Sequence, residues 1–380
     1  MLGELRHAYE ILVDRQKTIW ARNRKPGDPP GGGWETSRQP RLHLHYEPNL
    51  VDEQTAIVVD FWIRGNPQDI SSQLMGVPDA GFTEMMFMCS PVRDHGPAHW
   101  HRDLNPLLTA PLVGYVGDLR ENRSPMYVQW NITLYDDKVL WVVPASHCRL
   151  NTDEEDRALK ADLRRPLPNS MPVELGAGDG VVYILPILHW GSNYSTKLRR
   201  VIHGGYSNYN LYENPRYMKH VSEDARTKFD GWLRRSEEMQ DLTESILRAV
   251  INRDGVAYHA GLEAIRPGCR ENGKALLTVY LCKAVIYMSI LKGNESDAWP
   301  DSLQSNAERM HPITLNWGPK FAHRFSKEEV DVLWNRFKIV NQGLRSDQEG
   351  LVPGFQTGPL NYHFNEMPPA AQVDTFIASW

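Results

Sequence analysis

Between Phe82 and Tyr209 the chain consists of short apolar runs of strand length, separated by turns rich in glycine, proline, asparagine and aspartate. Residues 82–88, 127–134, 139–143, 181–185 and 199–204 have strand composition. Runs this short cannot bury themselves singly and must pair, and several at this spacing predict a β-sandwich or barrel. One helix is expected to interrupt them. Thr152 stands before the acidic turn Asp153-Glu154-Glu155-Asp156 as an N-cap, and Arg164-Arg165 gives a basic end.

The flanks read differently. Leu5, Ala8, Tyr9, Ile11, Leu12 and Ile19 recur near a 3.6 period and predict a helix over 4–22. The run Lys25-Pro26-Gly27-Asp28-Pro29-Pro30-Gly31-Gly32-Gly33 cannot continue it and is a loop placed to serve as a flexible lid. A second helix is expected over 52–63. After residue 215 the pattern is helical again. Ser222 caps a long amphipathic helix carrying Ala225, Phe229, Trp232, Ile246 and Val250, with Gly255 beyond its end. A second runs over 274–291 with Gly293 after it, and a third starts at the capping box Ser326-Lys327-Glu328-Glu329. The expected organisation is N-terminal helices and loop in 1–79, a β core in 80–210, and a helical region in 211–380 packed on that core.

Composition narrows the class. With 41% hydrophobic and 23% charged residues, the 380-residue chain reads as folded and soluble. A net charge of -5 argues against a general nucleic-acid binder, whose phosphate affinity rests on clustered positive charge. Cys89, Cys148, Cys269 and Cys282 form no C-x-x-C pair, which fits reduced thiols and argues against an all-cysteine zinc site. The charged N-terminus resembles no signal peptide. The apolar stretch 275–291 is short for a bilayer and interrupted by Lys283, so a buried core helix is expected, with no membrane partner and a cytoplasmic location.

The residues that carry chemistry lie in Ala98-His99-Trp100-His101-Arg102-Asp103. On an extended strand residues two apart share a face, so His101 and Asp103 can aim an imidazole and a carboxylate at one point. His189, 86 residues after Asp103 and at the end of a predicted strand, supplies a third ligand. Two histidines and one carboxylate on one side leave positions of an octahedral Fe(II) free for a bidentate co-substrate and O2. Ten residues after His189 comes Arg199, whose planar fork suits the far carboxylate of a 2-oxo acid, with Arg200 as its rival.

Here the sequence resembles the phytanoyl-CoA dioxygenase family of the Fe(II)/2-oxoglutarate-dependent oxygenases. The matching pieces are His101-Arg102-Asp103, Val142-Val143-Pro144-Ala145-Ser146-His147 (similar to that family's V-P-G-S-H), Gly178-Asp179-Gly180, and His189-Trp190-Gly191-Ser192-Asn193 leading to Arg199. They span roughly residues 80–210. The resemblance implies an α+β protein with a double-stranded β-helix (jelly-roll, cupin-like) core. It implies iron at His101, Asp103 and His189, and 2-oxoglutarate held at Arg199 with help from Ser192. The reaction implied is hydroxylation of a small organic substrate with release of succinate and CO2. Halogenases of this superfamily lack the carboxylate ligand, so the retained Asp103 favours oxygenation. The sequence departs at Trp190, inserted where the family runs His-Gly-Ser, and at Arg102, where glutamine is common.

Blander readings stand beside these. His99 reads as structural support for the site, His43-Leu44-His45 as ordinary strand or loop, and His147 as part of its turn. Trp100, Trp130, Trp141 and Trp190 read first as core. Gln129 and Asn131, polar within an apolar strand, are candidates to contact co-substrate or product. The rival functions are a cupin-like isomerase or hydrolase that uses a metal without 2-oxoglutarate, and a non-catalytic scaffold. The helical region after 215 is open between covering the core, forming a homodimer and walling the substrate site.

Overall fold

The computed structural model describes residues 1–44, 50–105, 108–192, 194–207, 215–293, 319–350 and 360–380. His45 and Asn193 lie outside them.

The N-terminal helix α1 spans Leu2–Arg22 and buries Leu5, Ala8, Tyr9, Leu12 and Val13, the stripe its 3.6 period marks out. The loop that follows makes a single helical turn, α2 (Gly33–Thr36), and then strand β1 (Arg41–His43). Two helices come next, α3 (Ile57–Arg64) and α4 (Asn66–Met75). Helix α3 starts five residues later than its apolar pattern suggests. Asp52 and Thr55 instead build a hydrogen-bonded turn in which Thr55 Oγ1 accepts from the Asp52 amide, the local competition with helix expected of Asp and Thr. Pro67 then sits in the first turn of α4, where its missing N–H costs nothing.

The β region forms two antiparallel sheets. The larger has the order β1-β2-β8-β3-β6, with β2 at Gly81–Cys89, β3 at Tyr127–Thr133, β6 at Gly180–Tyr183 and β8 at Arg200–Ser207. The smaller has the order β5-β4-β7, with β4 at Trp141–Val142, β5 at Met171–Pro172 and β7 at His189–Trp190. Helix α5 (Leu112–Asn122) lies between β2 and β3 in sequence, and α6 (Asp153–Ala161) between β4 and β5. The cap on α6 is the expected one: Thr152 and Glu155 form a reciprocal capping box.

Period-2 alternation divides the large sheet's side chains. Leu42, Phe87, Val128, Trp130, Ile202 and Tyr206 pack in one cluster with α1, α3 and Phe229 and Trp232 further along the chain. On the opposite face, Tyr183 and Val181 of β6 meet Leu140 and Val142 of the small sheet. Polar Gln129, Asn131 and His203 share that inner face, so the space between the sheets is lined by hydrogen-bonding groups.

The C-terminal helices are α7 (Glu223–Asn252), α8 (Gly255–Ile265), α9 (Glu271–Leu291), α10 (Pro319–Ala322), α11 (Lys327–Leu344) and α12 (Val373–Ala378), with a β9–β10 hairpin at Arg345–Gly350 and Leu360–Tyr362. Ser222 caps α7 as expected, and Ser326 with Glu329 caps α11. Gly255 does more than follow α7. Arg253 closes that helix in the left-handed region and Asp254 caps α8, which begins at Gly255 itself. Helix α9 is long and apolar enough to cross a membrane, but 83% of its apolar window is buried within the protein. It packs among α5, α8 and α11 in one core. Lys283 is 1% exposed within it, its ammonium 4.9 Å from the Tyr362 ring, and burial pushes its pKa down to about 8.

Candidate metal centre

The segment 97–103 runs antiparallel to β7. His101 and His189 exchange backbone hydrogen bonds in both directions, each 3.0 Å, and Pro97 bridges Ser192. The reciprocal pair sets the two histidines directly opposite each other, with ring centroids 4.3 Å apart. Two residues on, the Asp103 amide donates to Leu185 O at 3.0 Å. Alternation then returns the Asp103 side chain to the face carrying His101.

The three side chains converge. Nε2 of His101 lies 3.4 Å from Asp103 Oδ1, and Nε2 of His189 lies 3.4 Å from Asp103 Oδ2. One donor atom from each falls within 4.8 Å of the others. Adjacent ligands of an octahedral ion with bonds near 2.1 Å stand about 3 Å apart, so the two histidine–aspartate separations of 3.4 Å are already close to those of a bound ion. Both imidazoles are prepared for it. Nδ1 of His101 donates to His99 O at 2.8 Å, and Nδ1 of His189 donates to Ile187 O at 3.0 Å. That tautomer leaves both Nε2 lone pairs facing the centre, the outer support found around metal-bound histidines. The His99 backbone, rather than a fourth ligand, is what that residue brings.

Electrostatics distinguish the two histidines: burial opposes protonation of His101, but the Asp103 carboxylate beside it holds its pKa above the usual value. Burial opposes ionisation of Asp103, but His189, and His101 through its hydrogen bond, hold the carboxyl well below the usual range. Burial, reinforced by His101, pushes His189 down to about 4, so its imidazole is neutral and free to ligate at neutral pH. His101 and Asp103 retain 23% and 19% side-chain exposure, which leaves the cluster reachable from outside.

Gln129 is engaged with the cluster itself: Nε2 donates to Asp103 Oδ2 at 2.5 Å. Asn131 pairs with His203 instead, Oδ1 lying 2.6 Å from Nδ1. Losing an outer hydrogen bond of the Gln129 kind costs about 10–100-fold in metal affinity. Gln129→Leu is expected to weaken divalent-metal binding by that factor, checked by metal titration, while the thermal midpoint moves little.

Arg102, on the opposite face from its neighbours, is 1% exposed. It donates to Ser146 O at 2.8 Å, to Asn151 Oδ1 at 2.6 Å and to Pro186 O. Ser146 Oγ in turn accepts from the Leu188 amide at 2.8 Å. The Pro144-Ala145-Ser146-His147 turn thus braces the residue before His189. Ala145 holds φ at +59°, a region that costs an L-residue about 1–2 kcal/mol. Allowing for glycine's greater freedom when unfolded, Ala145→Gly should stabilise the fold by about 0.5–1 kcal/mol in a denaturant titration.

Arg199 and Arg200 point opposite ways. Arg200 donates to Glu10 of α1 on the helix-covered side. Arg199 turns inward, and its Nε donates to Asp137 Oδ2 at 2.9 Å, both side chains 8% exposed. Ser192 is placed by its backbone bridge to Pro97. Among the tryptophans, Trp100 stacks on Trp190 at 4.9 Å and Trp141 meets Trp190 edge-on at 6.2 Å. The residue inserted after His189 is therefore a core residue. Trp130 lies on the other face, its Nε1 donating to Ser71 Oγ at 2.9 Å. Two charged residues that the sequence reading did not single out are Arg41, on a strand of three residues too short to stand out from the loop around it, and Glu84 of β2.

No family model matches the chain, and no curated protein matches it. Solved structures similar to it include AviO1 from Streptomyces viridochromogenes Tue57, at 19% identity and TM-score 0.37, covering 56% of this chain and 87% of that one. Another is apo EctD from S. alaskensis, at 15% identity and TM-score 0.36, covering 56% of this chain and 70% of that one. A third is HygX from Streptomyces hygroscopicus with nickel and 2-oxoglutarate bound, at 15% and 0.36, covering 54% and 78%. At TM-scores of this size the likeness carries no argument about the present chain.

Proposed function

We propose that this chain is a non-haem Fe(II)- and 2-oxoglutarate-dependent oxygenase, akin to the phytanoyl-CoA dioxygenase family, its two sheets forming a double-stranded β-helix. The observation that carries this reading is the convergence of His101, Asp103 and His189 with both histidine Nδ1 atoms already anchored to backbone carbonyls. Two imidazoles and one ionised carboxylate on one side of a point are the donor set of an iron site with open positions. When bound, iron would couple oxidation of 2-oxoglutarate by O2, giving succinate and CO2, to insertion of the second oxygen atom into a C–H bond of a small organic substrate.

The chain's own residues have separate tasks. His101, Asp103 and His189 hold the ion. Gln129 fixes the carboxylate plane by donating to Oδ2. Arg199 receives the far carboxylate of 2-oxoglutarate; with Nε committed to Asp137, its two Nη groups have no hydrogen-bond partner among the described residues and suit a bidentate grip. The retained Asp103 makes oxygenation the reading favoured over halogenation.

The test is anaerobic titration of the Fe(II) protein with 2-oxoglutarate, followed by aerobic assay of succinate. A visible charge-transfer band and 2-oxoglutarate-dependent succinate release are expected. A protein that binds Fe(II) without either response would instead be a metal-dependent isomerase or hydrolase. Arg199→Lys keeps a charge beside Asp137 but loses the fork, and should raise the 2-oxoglutarate requirement by about tenfold or more. Arg200→Lys should leave it unchanged. The reverse pattern in the apparent KM would reassign the clamp.

A further inference from the structure

The proline- and glycine-rich loop after α1 forms one side of a cleft of about 430 Å³ that the proposed reaction does not use. That is the size of a small-molecule pocket. Asp28 and Glu35 line it from the loop side, and Arg93 and His95 from the segment that leads into His101. Local bonds hold both walls. The Lys25 amide donates to Asp28 Oδ2 at 2.8 Å, and the Gly31 amide donates to Glu35 Oε1 at 2.6 Å. Between Arg93 and His95, Asp94 Oδ1 accepts from the Ser195 hydroxyl at 2.8 Å and from the Ser195 amide. Two residues past His95, Pro97 bridges Ser192, and the Ala98 amide donates to Gly191 O at 3.0 Å. The Arg93 wall is therefore continuous with the ladder that sets His101 opposite His189.

The polar groups lining this cleft are not paired with one another. Asp28 and Glu35 each give one oxygen to a backbone amide, and neither has a cationic partner among the described residues. Arg93 makes no hydrogen bond or ion pair among them. His95 Nε2 is buried with no hydrogen-bond partner among them, a condition that protein interiors rarely keep. These groups do not converge on a metal ion, because among the described residues only His101, Asp103 and His189 stand close enough for that.

We propose that the cleft binds a small zwitterionic molecule of the amino-acid kind, its ammonium group toward Asp28 and Glu35 and its carboxylate toward Arg93 and His95. Charge decides among the ligand classes. An anion alone would meet two carboxylates, and a cation alone would meet a guanidinium. A neutral molecule would leave all three charges uncompensated. A molecule with both charges satisfies both walls, and the planar fork of Arg93 can grip a carboxylate through two parallel N–H bonds. The site stands on these residues alone and does not depend on the oxygenase reading.

The experiment is calorimetric titration of the full chain with 6-aminohexanoate, whose flexible chain lets its ends find the two walls. Hexanoate and hexylammonium serve as matched probes with one charge each. Wild type is expected to bind 6-aminohexanoate about tenfold or more tighter than either. Arg93→Gln should lose about tenfold of that affinity while hexylammonium binds as before, and Asp28→Asn with Glu35→Gln should lose as much while hexanoate does not weaken. The amide variants keep an oxygen for the Lys25 and Gly31 amides, so the loop should hold its shape. Arg93 has no contact to lose, so its variant decides the matter even if the loop variant unfolds. His189→Ala should bind all three probes as wild type does, whatever becomes of its activity. Wild type that binds no 6-aminohexanoate, or binds it no better than the single-charge probes, overturns the proposal. So does unchanged affinity in Arg93→Gln, or lost affinity in His189→Ala, which would move the bound probe to the metal centre.

Discussion

Replacing His189 with alanine is expected to abolish 2-oxoglutarate-dependent succinate release, a loss well beyond about 100-fold. The lower bound comes from outer-shell partners of metal ligands, whose removal alone costs about 10–100-fold; a ligand itself must matter more. His189 is 5% exposed and faces His101 across a reciprocal backbone pair. Truncating it removes one corner of the donor set without touching that pairing, so the backbone should keep its course. Asp103→Ala should match it in activity, for it removes the one anionic donor and strands the Gln129 amide. Asp103→Asn is the more informative partner. It keeps the shape and an acceptor oxygen but not the charge that burial opposes and the two histidines sustain. Fe(II) titration and succinate release on the three variants check this. Undiminished succinate production in any of them would remove the centre from the mechanism.

The donor set was legible because each of its parts leaves a mark on sequence. A spacing of two on extended backbone fixes a shared face, and His189 closes an apolar run of strand length. Helix ends were legible for the same local reason: Thr152, Ser222 and Ser326 all cap by side-chain bonds to amides three residues on. What stayed hidden depends on tertiary pairing. The segment bearing His101 and Asp103 acquires its register from single bridges to β7 rather than from a long ladder. Strand β1 is three residues, so Arg41 carries no periodic signal. Helices α5 and α8 open on Leu112 and Gly255, with no run of polar capping residues before α5 and a glycine start to α8 that reads as a stop. The Arg199–Asp137 pair joins residues 62 apart, and no local rule connects them.

Arg102→Ala is expected to be the most destabilising substitution near the centre, by about 3–6 kcal/mol in a urea titration. The side chain is 1% exposed and bonds to Ser146 O, Pro186 O and Asn151 Oδ1. Each acceptor left unpaired in the interior costs about 1–3 kcal/mol, and the emptied volume adds a cavity term. The same bonds explain why iron binding should weaken with stability. Arg102 sits between two ligands in sequence and ties them to Pro186, three residues before the third. The side chain introduced by Arg102→Gln is shorter and has two N–H donors rather than five. It can satisfy at most two of the acceptors, so its loss should be intermediate. If Arg102→Ala unfolds with an unchanged midpoint and binds Fe(II) as tightly as wild type, the brace is idle and the ligand geometry is held by the β7 bridges alone.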